Sequence, residues 1–266
     1  MTELQRDDSY QWTGEMVECE SGIQWAIAEQ ANGTVAIIVN SPGGVLTGKQ
    51  VRVLAEIVGE DGALKNTRRM ASLLLIPKKR VATALEQLQS VGLRVANLHK
   101  SVRNIAACPG KGFSSNSRGD TLGLAKVLDE AFYATILPWD FKIGISGCPR
   151  NCTGVQCQDL GLMAEPRGKY SLWLGGSESG MSPKHGTLVR KGIPREQVVS
   201  VVKRILETYA SGAEEFEAEL GEGARVRLYH VLEKTGFERF EQAIEEVLSN
   251  PILTLPTDES GGFLGD

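Results

Sequence analysis

An α+β fold is predicted by three features of the sequence. Strand and helix periods alternate through residues 34–105, a strand at 141–147 opens directly into a cysteine turn, and apolar residues recur at helical spacing after Pro194. With 266 residues, 41% of them apolar, the chain can bury a core in one large domain or two small ones.

TVAIIVNSP (34–42) reads as a strand entering a turn at Pro42, Gly43 and Gly44. Thr47 and Gln50 form a capping-box pattern, and Val51, Leu54, Ala55 and Val58 fall on one predicted helical face that ends near Gly59 and Gly62. ALKNTRR and MASLLLI are the next strands. A helix follows with Val81, Leu85, Leu88 and Val91 inward and Gly92 just past its end, and LRVANL closes the unit. This strand-helix-strand-strand-helix-strand order makes a small ferredoxin-like unit over 34–105. Residues 1–33 are expected to be an N-terminal extension, polar at its start.

The second unit, 106–250, opens with CPG and a Ser/Gly-rich loop, then a helix from about Leu122 to Tyr133. FKIGISG (141–147) alternates Phe141, Ile143 and Ile145, so a half-buried strand is expected to deliver its end into GCPRNC. DLGLMAEP and KYSLWLGG are two further strands. Pro194 is expected to start a helix with Val198, Val201, Val202 and Ile205 inward, and the acidic segment from Ala213 to about Leu248 reads as mostly helical. Residues 251–266 read as a flexible tail.

A formal charge of -4 gives no basic excess of the kind a nucleic-acid-binding surface shows. No run reaches the length of a membrane span, and Met1 is followed by TELQRDDSY rather than a basic and apolar leader, so a cytoplasmic location is expected. Of five cysteines, three lie within Cys148–Cys157, a grouping that in a reducing compartment points to metal before disulfides. Soft thiolates suit iron-sulfur clusters and zinc. Taken alone, the CPRNC pair Cys148 and Cys152 supports metal binding no better than two buried thiols.

RNIAACPG, LGLAKVLDE, LPWDFKIGISGCPRNC, DLGLMA and LWLGG, in this order, resemble the sirohaem and 4Fe-4S module of the nitrite and sulfite reductase family. NSPGGVLTGKQ and NTRRMASLLLI resemble the PGG turn and TTRQ strand pair of that family's ferredoxin-like half domain, so the resemblance runs from about Thr34 to Phe240. It implies a 4Fe-4S cluster held by Cys108, Cys148 and Cys152, with Cys152 bridging to the sirohaem iron. The fourth ligand position falls on Ser114. Three outcomes stay open there: a seryl oxygen as a harder ligand, a water-bound or missing iron, or Cys157 swinging in. Cys157 otherwise reads as core filler.

The resemblance further implies catalytic cations at Arg103 and Lys142, and cofactor carboxylate contacts from Arg68 and Arg69, with Lys111 and Arg150 as further candidates beside the cluster loops. Two family cations are absent: Asp140 stands for a lysine and Asn40 for an arginine. Such an acid is expected to repel an anionic substrate. The three histidines, His99, His185 and His230, show no metal-ligand spacing.

Two readings of function follow. One is a minimal reductase of sulfite or nitrite, fed by an electron-donor protein and completed by a second copy or a related subunit, a homodimer being the commonest arrangement. The other is a non-catalytic, electron-transfer or sensing subunit of the same fold, favoured by Ser114, Asp140 and Asn40. A zinc protein using Cys108, Cys148, Cys152 and Cys157 leaves the rest of the resemblance unexplained.

Overall fold

A computed structural model describes residues 4–7, 23–178, 182–220 and 224–250. The predicted tail 251–266, most of the N-terminal extension and Cys19 lie outside the described residues.

The first unit is an antiparallel sheet built on β2 (Thr34–Asn40), whose apolar run is buried at Val35, Ile37 and Val39. A short β1 (Ile27–Glu29) precedes it in the chain and pairs with its N-terminal part. Thr47 caps α1 (Gly48–Val58) through the expected reciprocal bonds with Gln50. β3 (Ala63–Asn66) pairs with β4 (Ser72–Pro77), α2 covers Val81–Ser90, and β5 (Arg94–Val95) pairs with the C-terminal end of β2. The order β5-β2-β4-β3 is the ferredoxin-like arrangement.

Three expectations change here. The inward face of α1 is Leu54 and Ile57, while Val51 is 51% exposed, because the helix is rotated to seat Ile57 in the core. The strand predicted across ALKNTRR stops at Asn66, since Thr67 to Met70 form a turn closed by Thr67 bonding Ala71 and Met70. β1, together with buried Ile23 and Ala26, draws part of the predicted extension into this sheet and core.

The second unit is a mixed sheet in the order β10-β9-β8-β7-β6. It contains β6 (Ala106–Ala107), β7 (Ile143–Ser146), β8 (Leu160–Glu165), β9 (Lys169–Leu174) and β10 (Thr187–Pro194), with α3 (Thr121–Phe132) between β6 and β7. Only β6-β7 and β7-β8 are parallel. β7 is fully buried rather than half-buried, as a strand flanked on both edges and enclosed on both faces must be. β10 was not anticipated; its exposed, charged residues lack the apolar alternation of a strand. α4 (Val198–Leu220), with Val198, Val201, Val202 and Ile205 buried as expected, is followed by α5 (Leu228–Thr235) and α6 (Glu238–Ser249). Pro194 closes β10 and caps the short turn that leads into α4.

Buried polar groups join the units. Asn40 Nδ2 donates to both Asp129 carboxylate oxygens, at 2.9 and 2.8 Å, and Arg94 reaches one of them at 2.7 Å. Gly43, at φ 65°, turns the chain so that its N–H bonds the Ile105 carbonyl at 2.9 Å; a side chain there would strike Leu122. Among the described residues no helix is long and apolar enough to cross a membrane.

Candidate functional site

Parallel neighbours release their chain ends side by side, and β6 and β7 do so with Ala107 opposite Ile145. The Cys108 N–H donates to the Ile145 carbonyl at 3.0 Å, and the Gly147 N–H donates to Cys108 Sγ at 3.1 Å. Cys108 and Cys148 are therefore buried on touching loops. The turn after Cys148 is closed by the Asn151 N–H on the Cys148 carbonyl at 3.0 Å, and Cys152 emerges exposed. Cys157, half-buried, ends a short helical turn begun by Val155.

Ser114 lies in the loop after Cys108, with its N–H on the Gly110 carbonyl at 2.9 Å. That loop is tied to the second cysteine loop by the Arg118 N–H on the Gly147 carbonyl at 2.7 Å. Gly147 has no room for a side chain: a Cβ would collide with Ser117 Oγ and stand 3.4 Å from Cys108 Sγ. Ser117, not singled out in the sequence, thus packs closest to the join. Lys111 and Arg150 sit exposed on the two loops.

A zinc ion needs its ligands around one point, whereas a cube of four irons spreads one thiolate to each corner. Among the described residues no three His, Cys, Asp or Glu side chains gather in the first manner. Cys108, Cys148 and Cys152 are soft donors on joined loops, a donor type that suits an iron-sulfur cluster, and the Gly147 N–H supplies the kind of N–H to sulfur bond that tunes one.

The cations lie elsewhere. Lys142 directly precedes β7 and Cys148 lies beyond its other end, so the strand's four residues, about 13 Å of rise, separate them. Arg103 joins the Lys142 end, its N–H on the Phe141 carbonyl at 2.9 Å. The cysteine loops and the cations expected from the resemblance thus leave the chain at opposite ends of β7.

At this second end Asp140 accepts from Arg103 on one oxygen and meets His99 Nδ1 on the other, both at 3.1 Å. Burial pushes the Asp140 carboxyl up, but Arg103, His99, Lys142 and Arg227 outweigh it and hold it below its ordinary value. Its charge is therefore compensated internally rather than presented as a bare repulsive carboxylate. Asp159, fully buried, accepts from the Lys142 N–H at 2.9 Å and from Arg227 at 2.6 Å. Burial raises the Asp159 carboxyl, and burial followed by the nearby Arg227 charge lowers the Lys142 ammonium.

Arg69 is held by Gln158 Oε1 at 2.7 Å and by the Ile143 and Asn104 carbonyls at 3.1 and 3.2 Å, and burial drops its pKa to about 10. Arg68, 80% exposed, meets Glu178 at 3.2 Å. Asn40 takes no part, its amide being committed to Asp129.

The sequence missed Arg227, Asp159, His99 and Gln158 as members of this cluster. RVRLYH carries no motif, and His99 offered no spacing. Glu178 falls in GGSESGMSPKHG, a Gly-rich loop following a strand, which was the one signal available.

Residues 99–252 match the family described as the nitrite and sulphite reductase 4Fe-4S domain. The chain is 26% identical over 192 residues to a nitrite reductase [NAD(P)H] of Emericella nidulans, covering 71% of this chain and only 17% of that protein. It is 28% identical over 223 residues to an assimilatory-type sulfite reductase of Nitratidesulfovibrio vulgaris, covering 82% of this chain and 96% of the relative. The NirA protein of Mycobacterium tuberculosis shares the fold with a TM-score of 0.68 at 20% identity, over 84% of this chain and 42% of that one.

Proposed function

The chain belongs to the nitrite and sulfite reductase family, with that family's 4Fe-4S domain, and from this premise we propose that it is a sirohaem and iron-sulfur oxidoreductase module reducing sulfite or nitrite. The observation that carries the reading is the Gly147 N–H on Cys108 Sγ, which joins the two cysteine loops at the ends of adjacent parallel strands. In this reading Cys108, Cys148 and Cys152 hold the cluster, Ser114 stands at its fourth corner, and the bound metal centres supply electrons to the anion. Arg103 and Lys142 hold the anion. Burial that lowers the Lys142 ammonium also makes it a readier proton donor to departing oxygen.

Thiols and cations leave opposite ends of β7, an arrangement that a second copy or a related subunit completes in this reading, its thiol end meeting this chain's cation end. An electron-donor protein and a cytoplasmic setting complete it. The test is the optical spectrum of protein made anaerobically in a sirohaem-producing host, together with turnover driven by reduced methyl viologen. Isobacteriochlorin bands with loss of sulfite or nitrite are expected. Bands without turnover would instead support a non-catalytic, electron-transfer or sensing subunit, the reading favoured by Asp140 engaging Arg103 and by Ser114 in place of a thiol.

A further inference from the structure

His99 and Lys100 are consecutive residues, neither a glycine, with positive φ of 62° and 40°, a backbone that costs energy at each. The same segment buries Asn97 Oδ1 and Ser101 Oγ without a partner among the described residues. Strain and unpaired polar atoms collect where a segment is held for a purpose other than stability. Backbone bonds do the holding: the Lys100 carbonyl accepts from the Leu137 N–H at 2.9 Å, and the Ser101 carbonyl accepts from the Phe141 N–H at 3.1 Å.

What the segment presents is the His99 ring. It stacks on Trp139, with centroids 4.9 Å and planes 21° apart, and meets Trp25 edge-on at 5.4 Å. Its Nδ1 lies 3.1 Å from Asp140 Oδ1, while Asp140 Oδ2 accepts from Arg103 at 3.1 Å. Asp140, held below its ordinary value, is ionised and can only accept. Nδ1 therefore carries a proton, and Nε2 is the atom left to gain or lose one. Nε2 has no partner among the described residues and the side chain is 40% exposed, so solvent can supply that proton.

One carboxylate is thus shared by a permanent cation and an imidazole, the side chain that changes charge between about pH 5 and 8. With a neutral imidazole, Asp140 balances Arg103. With an imidazolium, it faces two cations, and one positive charge is left over for an anion. Among the other groups here, Arg227 and Arg225, the latter 5.1 Å from the Trp139 ring, stay cationic, and the Tyr209 hydroxyl is raised well above its ordinary value. Lys142, lowered by burial, and Asp159, raised by it, are the remaining groups able to change charge. We propose that His99 is a positioning residue of the anion site, which through Asp140 sets how much of the Arg103 charge an incoming anion meets. Resting on the function proposed above, sulfite or nitrite then arrives together with a proton taken from solvent by Nε2, and removal of either anion's oxygen as water consumes protons.

Purified protein is titrated with nitrite at low salt, by calorimetry in two buffers of different ionisation heat, at about pH 8 and about pH 5.5. Nitrite is a monoanion at both, so a change in affinity belongs to the protein. Affinity is expected to rise about fivefold at the lower pH, and proton uptake should accompany binding. The rise should shrink as ionic strength grows. In His99→Asn, chosen because asparagine tolerates a left-handed backbone, rise and uptake should both disappear, while Lys142 and Asp159 remain to titrate. A merely structural histidine would lower stability and leave the proton count unchanged.

Nitrite affinity independent of pH in the wild type, or no measurable nitrite binding at either pH, overturns the proposal. Persistence of the rise in His99→Asn does so too. Isobacteriochlorin bands and turnover with pH-independent affinity keep the proposed function and remove His99 from it. Affinity linked to pH in protein that never shows those bands upholds the role of His99 and removes the sirohaem reading. If His99→Asn does not fold, the wild type decides alone, because linkage is reciprocal. Nitrite should then move the midpoint of the His99 imidazole up by about 0.7 pH unit in an NMR titration, the fivefold effect converted, and an unmoved midpoint overturns the proposal.

Discussion

The two ends of β7 are built by different means. At the thiol end, Cys108 and Gly147 meet because parallel strands deliver them there, and the bonds that join them involve backbone N–H and carbonyl groups and one sulfur. At the cation end, side chains converge from segments far apart in sequence: Arg69 reaches Glu178 across 109 residues and Arg227 reaches Asp159 across 68. The first end is shaped by backbone geometry and tolerates little volume. The second is shaped by charge compensation, and the cost of a lost partner there grows with the burial of the charge left behind.

The largest effect expected from this contrast is at the cation end. Arg227→Met strands Asp159, which is completely buried, and should cost about 3–5 kcal/mol in chemical denaturation. A loss under about 1 kcal/mol would mean that the Asp159 carboxyl is neutral and the pair contributes little.

At the thiol end, Gly147→Ala places a Cβ against Ser117 and Cys108 and should cost about 1–3 kcal/mol. Iron content should fall with it. If iron is retained in full, the join between the cysteine loops is not what organises the ligands.

Asp140→Asn has a smaller effect with a pH signature. Its folded carboxyl sits below the ordinary value of 3.8, so the ionised form is the one favoured by folding. That contribution is complete above the unfolded value and is lost as pH falls through the folded one. The wild type should therefore exceed the variant by about 1 kcal/mol at neutral pH, and the gap should close in strong acid. A gap that widens on acidification would contradict the assignment of Arg103 and His99 as partners of an ionised carboxylate.

Ser114→Cys should change stability least, within about 0.5 kcal/mol for a half-buried loop position. It should raise iron retention, measured by metal analysis after anaerobic purification. Unchanged iron content and reduction potential would place Ser114 away from the cluster.

The structure bears out much of what was read from local pattern. The Thr47–Gln50 cap, the ferredoxin-like order and the inward valines of α4 follow from short-range rules and are present in the fold. The misreadings have equally local causes. Val51 and Ala55 share a helical face with Leu54, but only packing against the sheet decides that Ile57 points inward instead. Alternation at 141–147 looked half-buried because period alone does not reveal a second covered face.

The sequence by itself determined which residues can ligate a soft metal and that the Cys148 loop follows a strand, since both are matters of residue chemistry and near-neighbour backbone geometry; the two-residue strand before Cys108 is too short to show a period and came only from the structure. Only the tertiary structure decided that Asn40 serves Asp129, that Asp140 is compensated by Arg103 and His99, and that Arg227 and Glu178 enter the cation end. Ion pairs between distant segments leave no periodicity in a chain. They are selected when folding buries charged groups together, each of which must then find an opposite charge or bear its desolvation alone.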